Sequence, residues 1–278
     1  MLKSKKIIFV LLVFLVILSA CSREERIESE MILVPAGTTS EENASITLSR
    51  NIYIGKYEVT QAQFEEIMGF NPSIDKNIGI NNPVDQVTWF DAIMYCNKLS
   101  EKEGYEKYYI ISDIEENDVG NIISAEVKEK RGANGYRLPT LTEWEYAARG
   151  GADGIASKYS GSDNIDEVAW YQTLFDHKKS TMNYMSEMKS MPVGEKKANE
   201  LGIHDMTGNV SEWTNTNPRS MKVASDIDKV VIFNSDRIVA KGGGRYSFDD
   251  FCLISKSFNY DPTATYRYRG FRMARNEE

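Results

Sequence analysis

Asp205-x-x-Gly208-x-Val210-x-Glu212 places oxygen donors around a glycine turn. Calcium takes about six to eight oxygens from carboxylates and backbone carbonyls, and a loop of this kind can supply them. The alternative is a network in which Asp205 and Glu212 accept backbone N–H bonds. Asn209-Val210-Ser211 also spells a glycosylation sequon, a match that the surrounding motif makes accidental. Thiol chemistry is confined to Cys21, Cys96 and Cys252, too few for a disulfide framework. Cys96 and Cys252 could form one bridge if their geometry allows it. No Gly-x-Ser-x-Gly elbow supports Ser/His/Asp catalysis. Residues 246–261 are dense in Tyr, Phe, Asp and Ser and poor in Lys and Glu. Such a segment makes a recognition surface with large contact area, few rotors and adaptable hydrogen bonds. Its aromatics could instead be core.

These residues need elements to position them. Lys3, Lys5 and Lys6 precede an apolar run over residues 7–18, and Leu18-Ser19-Ala20-Cys21 follows. The run suits a signal peptide and falls short of the roughly 20 apolar residues that span a bilayer. The order matches the lipobox of bacterial lipoproteins: residues 1–20 are expected to be removed and Cys21 lipidated, giving a membrane anchor of several acyl chains. Residues 21–30 read as a charged, solvated tether. Residues 31–278 have the composition of one large folded domain or two small ones. The net charge of -8 and the absence of a basic stripe exclude a nucleic-acid partner.

Within that domain, strands are expected at residues 31–37 and 52–59. Thr60 with Gln63 reads as a capping-box helix start. A second helix is expected from Trp89 to Glu103, with Asp91 near its start and Gly104 at its end. Residues 105–134, with β-like patches at 108–112 and 121–127, read as a surface hairpin insertion. A third helix covers residues 141–149, between Pro139-Thr140 and Gly150-Gly151. Trp144 and Ala147-Ala148 are core candidates, and Arg137 and Arg149 could pair with carboxylates. The remaining half is rich in loops and short strands. The class is α+β.

Tyr57-Glu58-Val59-Thr60-Gln61-Ala62-Gln63-Phe64, residues 83–92 from Pro83 to Ala92, residues 136–151 from Tyr136 to Gly151, residues 201–213 from Leu201 to Trp213, and Gly270-Phe271-Arg272 occur in this order. The series resembles the formylglycine-generating enzyme (sulfatase-modifying factor) family over nearly all of residues 31–275. The resemblance implies a single loop-rich domain, a variant of the C-type lectin fold. It also implies a structural Ca2+ held by the Asp205 and Glu212 side chains and the Gly208 and Val210 carbonyls.

Enzymes of that family oxidise a substrate cysteine with copper on two thiolates, five positions apart after a glycine turn. Here the turn is Lys241-Gly242-Gly243-Gly244. Cys252 occupies the second position and Ser247 the first. A neutral serine hydroxyl does not replace a thiolate on Cu(I), so no copper and no enzyme activity are expected. The alternative is a metal-dependent oxidase with an altered site at Cys252. A related branch binds iron on three histidines, which His177 and His204 cannot supply. The chain also resembles surface-displayed variable lipoproteins, some from spirochaetes, that retroelements diversify near the C-terminus. The codons of residues 246–254 are all reachable by that process.

The expected function is therefore that of a lipid-anchored envelope protein, at the outer membrane or cell surface, with a protein or glycan ligand. The expected binding face comprises Arg245, Tyr246, Ser247, Phe248, Asp249, Asp250, Phe251, Cys252, Ile254, Phe258 and Tyr260. It requires Phe248, Asp249 and Asp250 to be exposed together.

Overall fold

The computed structural model describes residues 29–39, 45–74, 79–173, 175–176, 181–182, 189–218 and 237–277. The signal segment, Cys21, most of the tether and His177 lie outside the described residues.

Three helices form where local chemistry stops the chain fraying. In α1 (Gln61–Met68), α2 (Trp89–Glu103) and α3 (Leu141–Ala148), a threonine caps the start. Thr60, Thr88 and Thr140 each accept the N–H of the third helical residue, and the side chains of Gln63, Asp91 and Glu143 return the bond. Two orphan N–H groups are satisfied at each start. Gly69 and Gly104 close α1 and α2 in the left-handed conformation. α3 ends one residue earlier than expected, with Arg149 as its cap.

Two four-stranded sheets carry most of the strands among the described residues, beside three two-stranded pairs. The first orders Met31–Val34, Ile52–Gly55, Ala274–Asn276 and Tyr136–Arg137, all antiparallel. The second orders Phe258–Tyr260, Ile238–Lys241, Ser211–Trp213 and Arg269–Gly270, with only the last pair parallel. The strand expected over residues 52–59 stops at Gly55, because Val59 turns to pair with Phe271 and Val84. The closing segment is split as well. Arg269–Gly270 belongs to the second sheet and Ala274–Asn276 to the first, so buried Phe271, Arg272 and Met273 cross between them.

One core packs α1 and α2 around Phe64, Trp89, Tyr95, Trp213 and Phe271, and a second gathers Trp144, Tyr146, Ile52, Ile54 and Met206. Arg137 and Glu143 meet as a buried pair at 2.7 Å. The insertion forms a hairpin of Tyr109–Glu116 and Ile122–Glu129. It is more than a surface appendage: Tyr109, Ile122, Ala125 and Val127 enter the first core, while Ile110, Ile114 and Ile123 stay exposed. Alternation along a strand separates Tyr109 from Ile110 and Ile114, and Ala125 and Val127 from their neighbours. The register shift between Ser124 and Ile122 reverses the pattern, so that Ile122 faces in and Ile123 out. Cys96 and Cys252 are both buried and unbridged.

Candidate functional site

Asp205, Gly208, Val210 and Glu212 run from a loop into the second sheet, and Arg272 reaches them from the crossing segment. Arg272 donates from Nε to Glu212 Oε2 and from Nη2 to Glu212 Oε1, both at 2.7 Å. The Trp144 indole N–H adds a third bond to Oε2 at 2.7 Å. Arg272 also donates to the carbonyls of Gly55 and His204, at 2.9 Å each. One guanidinium thus ties both sheets and the loop together.

Sequence reading missed Glu58. Its Oε1 accepts the Val210 N–H at 3.0 Å, and its Oε2 accepts from Asn209 Nδ2 at 2.7 Å. Asn209 is wholly buried by this bond, which removes it from any glycosylation role. Burial first, then Asp205 and Glu212, push the Glu58 carboxyl well above the ordinary range. Burial also raises Asp205, to about 6. Asp205 Oδ2 accepts the Gly194 N–H at 2.7 Å, whereas its buried Oδ1 has no hydrogen-bond partner among the described residues. Gly208, at φ 81, passes so close to Trp170 that a Cβ would lie 2.4 Å from its carbonyl oxygen.

Arg272 therefore bonds Glu212 and counters the charge of Glu58 and Asp205 at longer range in a desolvated interior, and one Asp205 oxygen has no hydrogen-bond partner among the described residues. The orphaned Asp205 oxygen is the feature here that a cation would satisfy. No three His, Cys, Asp or Glu side chains converge as metal ligands among the described residues. The residues that would hold a calcium ion here are Asp205 and Glu212 through their side chains and Gly208 and Val210 through their carbonyls.

The copper positions lie beside each other but carry the wrong donors. Cys252 Sγ is 4.0 Å from the Ser247 carbonyl oxygen. The Ser247 hydroxyl accepts the Gly244 N–H at 3.0 Å. Burial and then Asp249 push the Cys252 thiol up to about 12, so it stays protonated. Gly243, at φ 66, lets the turn close over it, since a Cβ there would fall 2.7 Å from Sγ. One thiol and one committed hydroxyl supply a single soft donor where Cu(I) takes two thiolates.

The expected binding face separates into two layers. Phe248, Asp249, Asp250 and Phe251 are exposed together on a single 3-10 turn, Asp249–Phe251, with Phe248 37% and Phe251 47% exposed. Tyr246, Ser247, Phe258 and Tyr260 are half-buried beside them. Arg245, Cys252 and Ile254 are buried and cannot touch a ligand as expected. The reason is packing. Arg245 turns inward to within 3.8 Å of Asp85, Ile254 joins the second core, and Cys252 packs with Tyr159 and Val168. They form the floor of the face.

A cleft of about 520 Å³ adjoins this face at Tyr246 and is further lined by Ile74, Gln86, Thr265, Tyr266, Arg267 and Tyr268. The expected binding face did not include Tyr266 and Tyr268. Their dense Tyr-x-Tyr spacing was the available signal.

Three likenesses bear on the chain, two of them over most of its length. It is 39% identical over 293 residues, covering 98% of this chain and 99% of its relative, to Chaperone protein LppX of Paenibacillus barcinonensis. A formylglycine-generating enzyme of Mycobacterium tuberculosis is 39% identical over 88 residues, 30% of this chain and 27% of that protein. The solved structure of Treponema denticola variable protein 1 superposes with a TM-score of 0.67 at 26% identity, covering 89% of this chain and 95% of that one. The Sulfatase-modifying factor enzyme 1-like domain matches residues 19–277, and the chain belongs to that family, with its C-type-lectin-like fold.

Proposed function

We propose that this chain is a non-catalytic binding protein of the cell envelope that holds exported polypeptides on its C-terminal aromatic face. The observation that carries this reading is the joint exposure of Phe248 and Phe251, with Asp249 and Asp250, above the buried floor of Cys252 and Ile254. Exposed aromatics on a fixed base cost little ordering entropy on binding. The chaperone name of a full-length relative favours a polypeptide ligand over a glycan. The copper positions argue for loss of oxidase chemistry rather than an altered form of it.

In this reading Cys21 carries the lipid, and the aromatic face stands at the outer membrane or cell surface. Ca2+ at Asp205 and Glu212 stiffens the loop behind it. We also propose that residues 246–254 are diversified; what favours this is the name of the Treponema variable protein that the chain resembles. A reverse transcriptase gene with a near-copy template beside this gene would support that point, and an invariant segment across strains would remove it.

The central test uses the full lipidated chain in detergent with reduced α-lactalbumin as an aggregating probe. Wild type should keep the probe soluble, and the double variant F248A/F251A should not. Equal protection by the two proteins would overturn the reading.

A further inference from the structure

The exposed turn and the cleft are the two ends of one aromatic track. From Phe251 the rings run to Phe258 at 5.7 Å, Tyr260 at 6.4 Å and Tyr266 at 5.4 Å. They continue to Tyr268 at 6.0 Å and Tyr246 at 5.6 Å, where the cleft lies. Every ring centroid is within 6.4 Å of the next. Buried Arg269 fixes the middle of the track: its guanidinium carbon lies 3.4 Å from the Tyr260 centroid and 4.1 Å from that of Tyr266, and Nε bonds Ser211.

Side chains on one face of an extended polypeptide repeat about every 6.6 Å, twice the rise per residue. That repeat is close to the ring spacing of 5.4 to 6.4 Å, so alternate side chains of an extended segment can lie over successive rings. A helix presents its face at unequal i, i+3, i+4 steps and does not keep this register.

Charge selects further. The Arg269 cation behind Tyr260 and Tyr266 satisfies their π faces and repels a second cation, so the centre of the track takes neutral groups. Exposed Asp249 and Asp250, next to Phe251, attract a basic residue at that end. The chain's net charge of -8 favours the same partner.

We infer that the track binds an extended polypeptide segment with aromatic or other apolar residues at every second position and a basic residue at the Phe251 end. Such a segment is the core face of a β-strand that has not yet paired. The inference rests on the polypeptide-binding reading above and specifies what it recognises.

The test compares two fluorescent nine-residue peptides of identical composition, each with a flanking lysine. One alternates aromatic with threonine residues, and the other groups its aromatics together. The alternating peptide should bind the full chain at least tenfold more tightly. Thr265 is an exposed residue of the cleft, so T265W should fill it, weaken that peptide tenfold or more and leave the melting temperature unchanged. D249N/D250N should weaken binding and flatten its salt dependence.

Equal affinity for both peptides would overturn the track, as would indifference to T265W. If F248A/F251A still abolished probe protection in either case, polypeptide binding would stand without it. Binding of a chito-oligosaccharide, blocked by T265W, with no binding of either peptide, would overturn both readings.

Discussion

Arg272 and Glu212 share two hydrogen bonds of 2.7 Å with neither side chain exposed to solvent. Replacing one partner of such a pair leaves the other charged and desolvated, which costs about 3–5 kcal/mol. Glu58 and Asp205 sharpen the effect, because Arg272 is the cation that both lean on. R272M should therefore lower unfolding free energy by at least about 3 kcal/mol in urea denaturation, the low end of that range. R272M/E212Q should recover part of it. A loss under about 1 kcal/mol, the scale of a surface pair, would show that the pair does not hold the two sheets together.

The same cluster sets a pH dependence. Asp205 and Glu58 have folded values raised above their unfolded ones, mainly by burial. The folded state therefore binds more protons, and stability falls as pH rises through the window from about the unfolded carboxylate value to about 6, the folded value of Asp205. Below that window both states are protonated and the penalty vanishes. A bound cation would reverse this loss by favouring the ionised carboxylates. In EDTA the melting temperature should drop between pH 4.5 and pH 7.5. Calcium at 100 times its Kd should restore about 2.7 kcal/mol at pH 7.5 and little at pH 4.5. D205N should abolish the calcium response, and a wild type indifferent to calcium at pH 7.5 would remove the cation from this site.

How far the sequence discloses these features depends on the range of the interaction that makes them. The three helix starts are legible because Thr60 with Gln63, Thr88 with Asp91 and Thr140 with Glu143 bond within one turn. Glu58 was hidden because its partner Val210 lies 152 positions later, and only the folded chain joins them. The buried state of Arg245 and Ile254 was equally hidden. Composition marks residues 246–261 as a recognition segment, but which residues point outward depends on the 3-10 turn Asp249–Phe251 and the buried floor below it.

Phe248 and Phe251 are exposed and contribute little to either main core. Substitutions at such positions stay within about 0.5 kcal/mol of wild-type stability. Aromatic anchors at an interface, by contrast, cost about 2 kcal/mol or more on truncation. F248A/F251A should thus unfold at nearly the wild-type urea midpoint while its Kd for the alternating peptide rises roughly thirtyfold, which is that binding cost at about 1.4 kcal/mol per tenfold. A matching loss of stability and affinity would mean that the two rings support the fold rather than the ligand.

Cys252 is wholly buried, and its thiol is held protonated by burial and Asp249. The thiolate is the nucleophile and the metal ligand. Iodoacetamide at pH 8 should leave Cys252 unlabelled in the folded chain and label it in urea. Titration with Cu(I) against a competing chelator should show no stoichiometric uptake, and C252A should not change that result. What C252A should change is stability, by about 1–2 kcal/mol, because a buried group packed beside Tyr159 and Val168 leaves a cavity behind. One equivalent of Cu(I) bound by the wild type and lost in C252A would restore the oxidase reading, since the thiol would then be a ligand and not the floor of a binding face.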